Sequence, residues 1–96
     1  MKLTTKAITA KLAGLSGWKR SKDAISREFK FPTFPDAVAF ITRLGFSAEA
    51  ADHHPDLKVS YRKVTVTWST HSEGGVTEKD FAGAAESDRS AKQLGG

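Results

Sequence analysis

Between Pro32 and Pro55 the chain carries one long stretch with helical spacing. Phe34, Ala37, Val38, Ile41, Leu44, Ala48 and Ala51 recur at i, i+3, i+4 and i+7 intervals. That spacing gathers them on one face of a helix over residues 34–51. Thr33 stands as its N-cap, with Pro35 in the first turn and Asp36 three positions later. Gly45 sits inside it at a cost of about 1 kcal/mol relative to Ala. The flanks supply what covers this face. Before it, Trp18 opens a strand and Lys22-Asp23 makes a turn. Ile25, Arg27, Phe29 and Phe31 then alternate with Ser26, Glu28 and Lys30 in a second strand. After it, Asp52-His53-His54-Pro55-Asp56 is a polar break in which Pro55 pushes His54 toward extended geometry. Val59, Tyr61, Val64, Val66 and Trp68 follow in a β-rich run over residues 57–70. That run is too long for one strand and is expected to form a hairpin turning near Arg62-Lys63.

Two weaker helices complete the order. Ile8, Leu12 and Leu15 suggest one over residues 5–14, broken by Gly14 and Gly17. Thr77, with Glu78 and Asp80 behind it, caps the last, whose apolar content is Phe81, Ala84, Ala85, Ala91 and Leu94. The order α-β-β-α-β-β-α with short turns gives an α+β fold. Its form is a single domain over residues 1–96, a four-stranded antiparallel sheet with helices packed on one face. Residues 1–4 and 94–96 are expected to fray.

A domain of 96 residues buries only about 60–65% of its unfolded surface, so an oligomer is expected. With no cysteine, disulfide scaffolds, thiolate metal sites and a Cys nucleophile are excluded. No apolar run approaches the roughly 20 residues of a membrane span. Met1-Lys2-Leu3-Thr4-Thr5-Lys6 lacks the apolar stretch of a signal peptide, so the expected location is the cytoplasm. Residues 1–30 carry eight basic and two acidic side chains, against seven and nine in the remaining 66. Without an Arg cluster or interleaved aromatics, this charge reads as a solvated surface rather than a nucleic-acid groove.

The chemistry-bearing residues concentrate in one span. His53 and His54 follow the long helix, and His71 ends the last strand after Ser69-Thr70. Glu49, Asp52 and Asp80 flank them. Imidazole titrates near neutrality and suits proton transfer. On the bare residues three readings stay open. The first is a three-histidine metal site, although the i, i+4 pair of metalloproteases is absent. The second is metal-free acid/base catalysis. The third is loop histidines with no role. No nucleotide-binding glycine loop and no serine elbow occurs. Trp18 and Trp68 are expected in the core.

The run Glu49-x3-His53-His54-Pro55-x5-Tyr61-x9-His71-x8-Asp80 resembles the signature of the pterin-4a-carbinolamine dehydratase family. Leu15-x-Gly17-Trp18, Phe29-x-Phe31-x-x-Phe34, Asp52-His53-His54-Pro55, Ser69-Thr70-His71 and Thr77-Glu78-Lys79-Asp80-Phe81 are also similar, over about residues 12–86. The resemblance implies the same sheet-and-helix fold and dehydration of 4a-hydroxytetrahydropterin to quinonoid dihydropterin, with no metal or cofactor. It implies His53 and His71 as the acid/base pair, and His54 as a catalytic or pterin-orienting residue. Asp52, Ser69 and Thr70 would line the pocket, and Glu49 and Asp80 would orient or charge-tune the histidines. Tyr61 would pack and Pro55 would shape the loop. The implied partners are the pterin substrate, a second copy of the chain in a dimer rather than a tetramer, and a functional link to an aromatic amino-acid hydroxylase. No nucleic acid or membrane is implied. Relatives of this fold that act as transcription cofactors or assembly factors make a non-catalytic binding module the alternative. Two features depart from the pattern. Ser72 follows His71 where animal members tend to carry an acidic residue, Glu73 coming one place later. The last helix is poor in large apolar residues after Phe81.

Overall fold

A computed structural model describes residues 1–96. The elements are α1 (Thr5–Leu12), β1 (Lys19–Ser21), β2 (Ala24–Lys30), α2 (Phe34–Ala51), β3 (Asp56–Ser60), β4 (Lys63–Trp68), a 3-10 turn over His71–Glu73, and α3 (Glu78–Gln93). The four strands form one antiparallel sheet in the order β1-β2-β4-β3. The α+β order is the expected one. α1 stops at Leu12, two residues early, where Ala13 and Gly14 turn back onto Thr9 and Lys11.

Register explains the two faces of the sheet. Phe29 pairs with Val64, Arg27 with Val66 and Ile25 with Trp68. Ile25, Phe29, Val64, Val66 and Trp68 are all buried beneath the helices. The alternate positions, among them Glu28, Thr65 and Lys58, form the open polar face. Phe29, Phe31, Phe40 and Trp18 make an aromatic cluster, with ring centroids 4.9 Å apart for Phe31 and Phe40 and 6.1 Å for Trp18 and Phe29. Both tryptophans are core residues, as expected.

α2 begins as the sequence indicates. The Thr33 hydroxyl accepts from the Asp36 N–H at 3.2 Å and donates to the Asp36 carboxylate at 2.7 Å. α3 has a full capping box formed by Thr77 and Asp80. The poverty of α3 in large side chains also has a structural use. Its buried face is Asp80, Phe81, Ala84, Ser87, Ser90 and Ala91, small enough beyond Phe81 for the helix to lie close on the aromatic side chains of the sheet. Gly83 lets the backbone touch the Trp68 indole, since a Cβ there would sit 2.6 Å from the ring.

The second hairpin turns at Tyr61-Arg62, one residue earlier than expected, because Ser60 pairs with Lys63. Tyr61 takes a positive φ of 55° and is 85% exposed, so the expectation that it packs is corrected. A turn residue between two paired strands points away from both layers.

The basic N-terminal third is partly neutralised by α3. Lys11 pairs with Glu78 at 2.9 Å. Asp88 Oδ1 receives both the Arg27 guanidinium at 2.8 Å and the Trp18 indole N–H at 2.9 Å. At the chain ends, where the sequence suggests fraying, Leu3 N–H donates to Val76 O at 2.7 Å and Gly96 N–H to Ala91 O at 2.8 Å. No helix is long and apolar enough to cross a membrane.

Candidate functional site

The site is assembled at the shared end of α2, β4 and α3. α2 closes with Asp52 in the left-handed region, at φ 53°. Asp52 N–H bonds back to Glu49 O and His53 N–H to Ala48 O, both at 3.1 Å. This is the Schellman pattern, and it satisfies two of the final carbonyls while reversing the chain. The reversal turns His53 inward. His54 and Pro55 then lead the chain into β3, which begins at Asp56.

His53 is the centre of the arrangement. Its side chain is only 14% exposed and its Nε2 lies 2.6 Å from Asp80 Oδ1. Asp80 is fully buried. Its other oxygen, Oδ2, accepts from the Thr70 hydroxyl at 2.8 Å and from the Thr77 backbone N–H at 2.9 Å. The direction of every proton in this network follows. Thr70 gives its hydroxyl proton to Asp80, so the 2.7 Å contact between the two threonine hydroxyls must be a donation from Thr77 to Thr70. Thr77 Oγ1 in turn accepts the Lys79 N–H at 3.2 Å. Asp80 therefore acts as an acceptor on both oxygens, and Nε2 of His53 carries the proton donated to it. Nδ1 makes no hydrogen bond within the chain, and no buried side-chain nitrogen or oxygen is left unsatisfied. Nδ1 is thus the solvent-reaching nitrogen.

The remaining histidines stand apart from this buried centre, and neither they nor Asp52, Ser69 and Thr70 line the cleft beside His53. His54 is 57% exposed, with Nε2 2.7 Å from Glu49 Oε1. His71 is exposed and opens the 3-10 turn, directly after the Thr70 that donates to Asp80. The Met1 ammonium beside Glu73, bonded at 2.8 Å, holds that carboxyl below its usual range. Ser69 and Thr70 do not offer free hydroxyls. Ser69 Oγ donates to Asp23 O at 2.6 Å and so ties the site to the first hairpin, while the Thr70 hydroxyl is spent inside the Asp80 network. Asp52 shapes the backbone turn. No three His, Asp or Glu side chains converge as metal ligands would.

A cleft of about 540 Å³ opens between the end of α2 and the start of α3. Ala48, Ala51, Trp68, Ala82 and Gly83 wall it, Lys79 and Glu86 also line it, and His53 reaches into it. Volume and apolar walls with a few polar groups match a small-molecule site. The Trp68 ring stacks on the His53 ring, 5.3 Å between centroids at 24°. Sequence reading singled out Asp80, Thr70 and the histidines for the site, and Thr77 only as a helix cap. It did not identify Trp68, Lys79, Gly83 or Glu86 as site residues. The Thr77–Asp80 capping-box spacing was the readable signal for the network.

Comparison with known proteins identifies the family and the fold. A family model described as pterin 4 alpha carbinolamine dehydratase matches residues 1–90. A protein of Roseiflexus castenholzii, provisionally named a pterin-4-alpha-carbinolamine dehydratase, is 48% identical over 84% of this chain and 87% of its own length. A Picosynechococcus protein of the same provisional name is 48% identical over 83% and 87%. Among solved structures, a transcriptional coactivator/pterin dehydratase from Brucella melitensis superposes with a TM-score of 0.92. It is 39% identical, over 95% of this chain and 99% of that one. A pterin dehydratase-like RuBisCO assembly factor of the alpha-carboxysome, 23% identical with a TM-score of 0.64 over 77% and 86%, shares the fold. With the family model matching residues 1–90 and a relative 48% identical over 84% of the chain, the chain belongs to the pterin-4a-carbinolamine dehydratase family.

Proposed function

We propose that the protein is a hydro-lyase that converts 4a-hydroxytetrahydropterin to quinonoid dihydropterin and water. The observation that carries this reading is the buried Asp80 carboxylate holding by Nε2 the one histidine that lines the cleft, His53. The reaction needs two proton transfers and no change of oxidation state. The C4a–O bond breaks as the hydroxyl takes a proton and leaves as water. N5 loses its proton and its electron pair closes the new double bond. His53 and His71 divide these transfers, each contributing about 10²–10⁴-fold. His54, held by Glu49, binds and orients the pterin ring. Asp52, Ser69 and Thr70 contribute backbone groups and shape. No metal or cofactor takes part in this scheme.

The enzyme works in the cytoplasm as a homodimer, serving a hydroxylase that generates the 4a-hydroxy by-product. β3 is an edge strand, and Leu57 and Val59 on its helix-side face are 37% and 44% exposed, which a second copy would cover. A second reading, a protein-binding module, draws on the exposed Phe34, Val38 and Phe46 of α2.

The deciding measurement is the dehydration of freshly generated 4a-hydroxytetrahydropterin, followed by ultraviolet absorbance against the spontaneous rate. A rate well above that blank, unchanged by chelator and lost in His53→Ala, supports the enzyme. A rate equal to the blank from folded protein favours the binding module.

A further inference from the structure

We propose that Trp68 is a positioning residue for His53: its indole, clamped by α3, is the surface that fixes the plane of the imidazole. This rests on the reading of His53 as a proton-transfer group and adds a residue to it. Two contacts hold the indole, and a third fixes one of its partners. Its Nε1–H donates to Ser87 Oγ at 3.1 Å. Ser87 Oγ donates to Gly83 O at 2.8 Å, so the acceptor is itself fixed by the helix backbone. The indole lies so close to Gly83 that any Cβ there would overlap it, at 2.6 Å from Cδ2 and Cε2. Trp68 is 2% exposed and has no room to tilt.

A ring joined to Cβ and held at one nitrogen can still swing about its Cβ–Cγ bond whenever that hydrogen bond opens. Asp80 holds His53 only at Nε2, and the side-chain hydrogen bonds include none to Nδ1. The stacked indole removes the remaining freedom, and an offset aromatic pair of this geometry is itself attractive. Together the two contacts keep Nδ1 directed outward in one tautomer. A polar anchor on the nitrogen is ordinary for a buried tryptophan, as Trp18 shows; the glycine opposite and the stacked imidazole are what set Trp68 apart.

Trp68→Phe retains a stacking face, and Trp68→Leu removes it. The readout is the long-range proton–nitrogen spectrum of the His53 ring, which separates a fixed Nε2–H tautomer from an averaged pair. The native protein and Trp68→Phe are expected to show the fixed tautomer. Trp68→Leu, folded by circular dichroism, is expected to show averaging. In the dehydration assay its kcat falls by roughly 10²-fold, the scale of a small misplacement of a catalytic group, with KM changed less. Phe restores kcat to within about threefold of native, on the same scale. If Trp68→Leu does not fold, Gly83→Ala serves instead, because its methyl displaces the indole while favouring the helix. It too is expected to lose the fixed tautomer. An unchanged tautomer in a folded Trp68→Leu or Gly83→Ala protein overturns the proposal. The spectrum needs no pterin, so absence of dehydratase activity in the native protein would overturn the functional reading without touching this one.

Discussion

Asp80 caps its own helix with the same carboxylate that receives His53. One side chain therefore does a folding task and a site task. Its two oxygens divide them, Oδ2 toward the Thr77 N–H and the Thr70 hydroxyl, Oδ1 toward the imidazole.

Asp80→Ala is expected to destabilise the protein by about 2–4 kcal/mol, because it removes a cap and leaves buried donors unpaired. Urea unfolding measures this. A loss under about 0.5 kcal/mol, the range of an ordinary surface change, would show that the network contributes little.

His71→Ala is expected to leave stability within about 0.5 kcal/mol, since the residue is exposed, while lowering turnover by about 10²–10⁴-fold. His53→Ala should lower turnover similarly, with a larger loss of stability from the vacated ring. Equal fractional losses of rate and folded population in both variants would assign the histidines a structural role.

Asp52→Gly is expected to hold or raise stability by up to about 1 kcal/mol, because glycine occupies the left-handed region without strain. Dehydratase activity should persist, since the residue acts through the chain reversal. A folded but inactive Asp52→Gly protein would instead assign its carboxylate a direct substrate contact.

Asp88→Ala should cost about 1–3 kcal/mol in thermal or urea unfolding, because the Trp18 indole N–H and the Arg27 guanidinium both lose their acceptor. Its tautomer spectrum at His53 should match the native one, because Asp88 bonds Trp18 and Arg27 and takes no part in the Trp68–Ser87–Gly83 contacts. A changed spectrum would mean that the Trp18 and Trp68 anchors on α3 are coupled.

Val59→Lys, placed on the exposed β3 edge, is expected to give a monomer in sedimentation equilibrium. A native oligomeric state in that variant would move the proposed interface elsewhere, with the Phe34 and Val38 face of α2 as the next candidate.

The architecture was largely legible, and for stated reasons. α2 announced itself by its period and its Thr33 cap, and β2 by strict alternation. The β3–β4 turn was misplaced by one residue because Tyr61-Arg62 carries no turn chemistry, so strand pairing alone set it. The histidine span stands out in the sequence, and a role for Asp80 comes only with the family resemblance. What the sequence could not convey was which hydroxyls would remain free. Ser69 and Thr70 look like ligand-facing residues, yet each donates within the chain, to Asp23 O and to Asp80. Nor could it place Trp68 against His53, since a buried tryptophan does not declare its neighbour. Gly83 was invisible as a packing residue for the same reason.

The strand order also dictates how the molecule must come together in time. β1–β2 and β3–β4 are each local hairpins. The central seam instead pairs residue 25 with residue 68, and closing it requires the whole of α2 to be looped between. That closure entropy is met before the seam returns any burial. Residues on the seam such as Phe29 and Val64 should therefore govern the folding rate, while changes confined to the hairpin tips should act mainly on unfolding. The histidine network draws only on residues from His53 to Asp80, all on the C-terminal side of β2, so its parts are closer along the chain than the strands of the seam are.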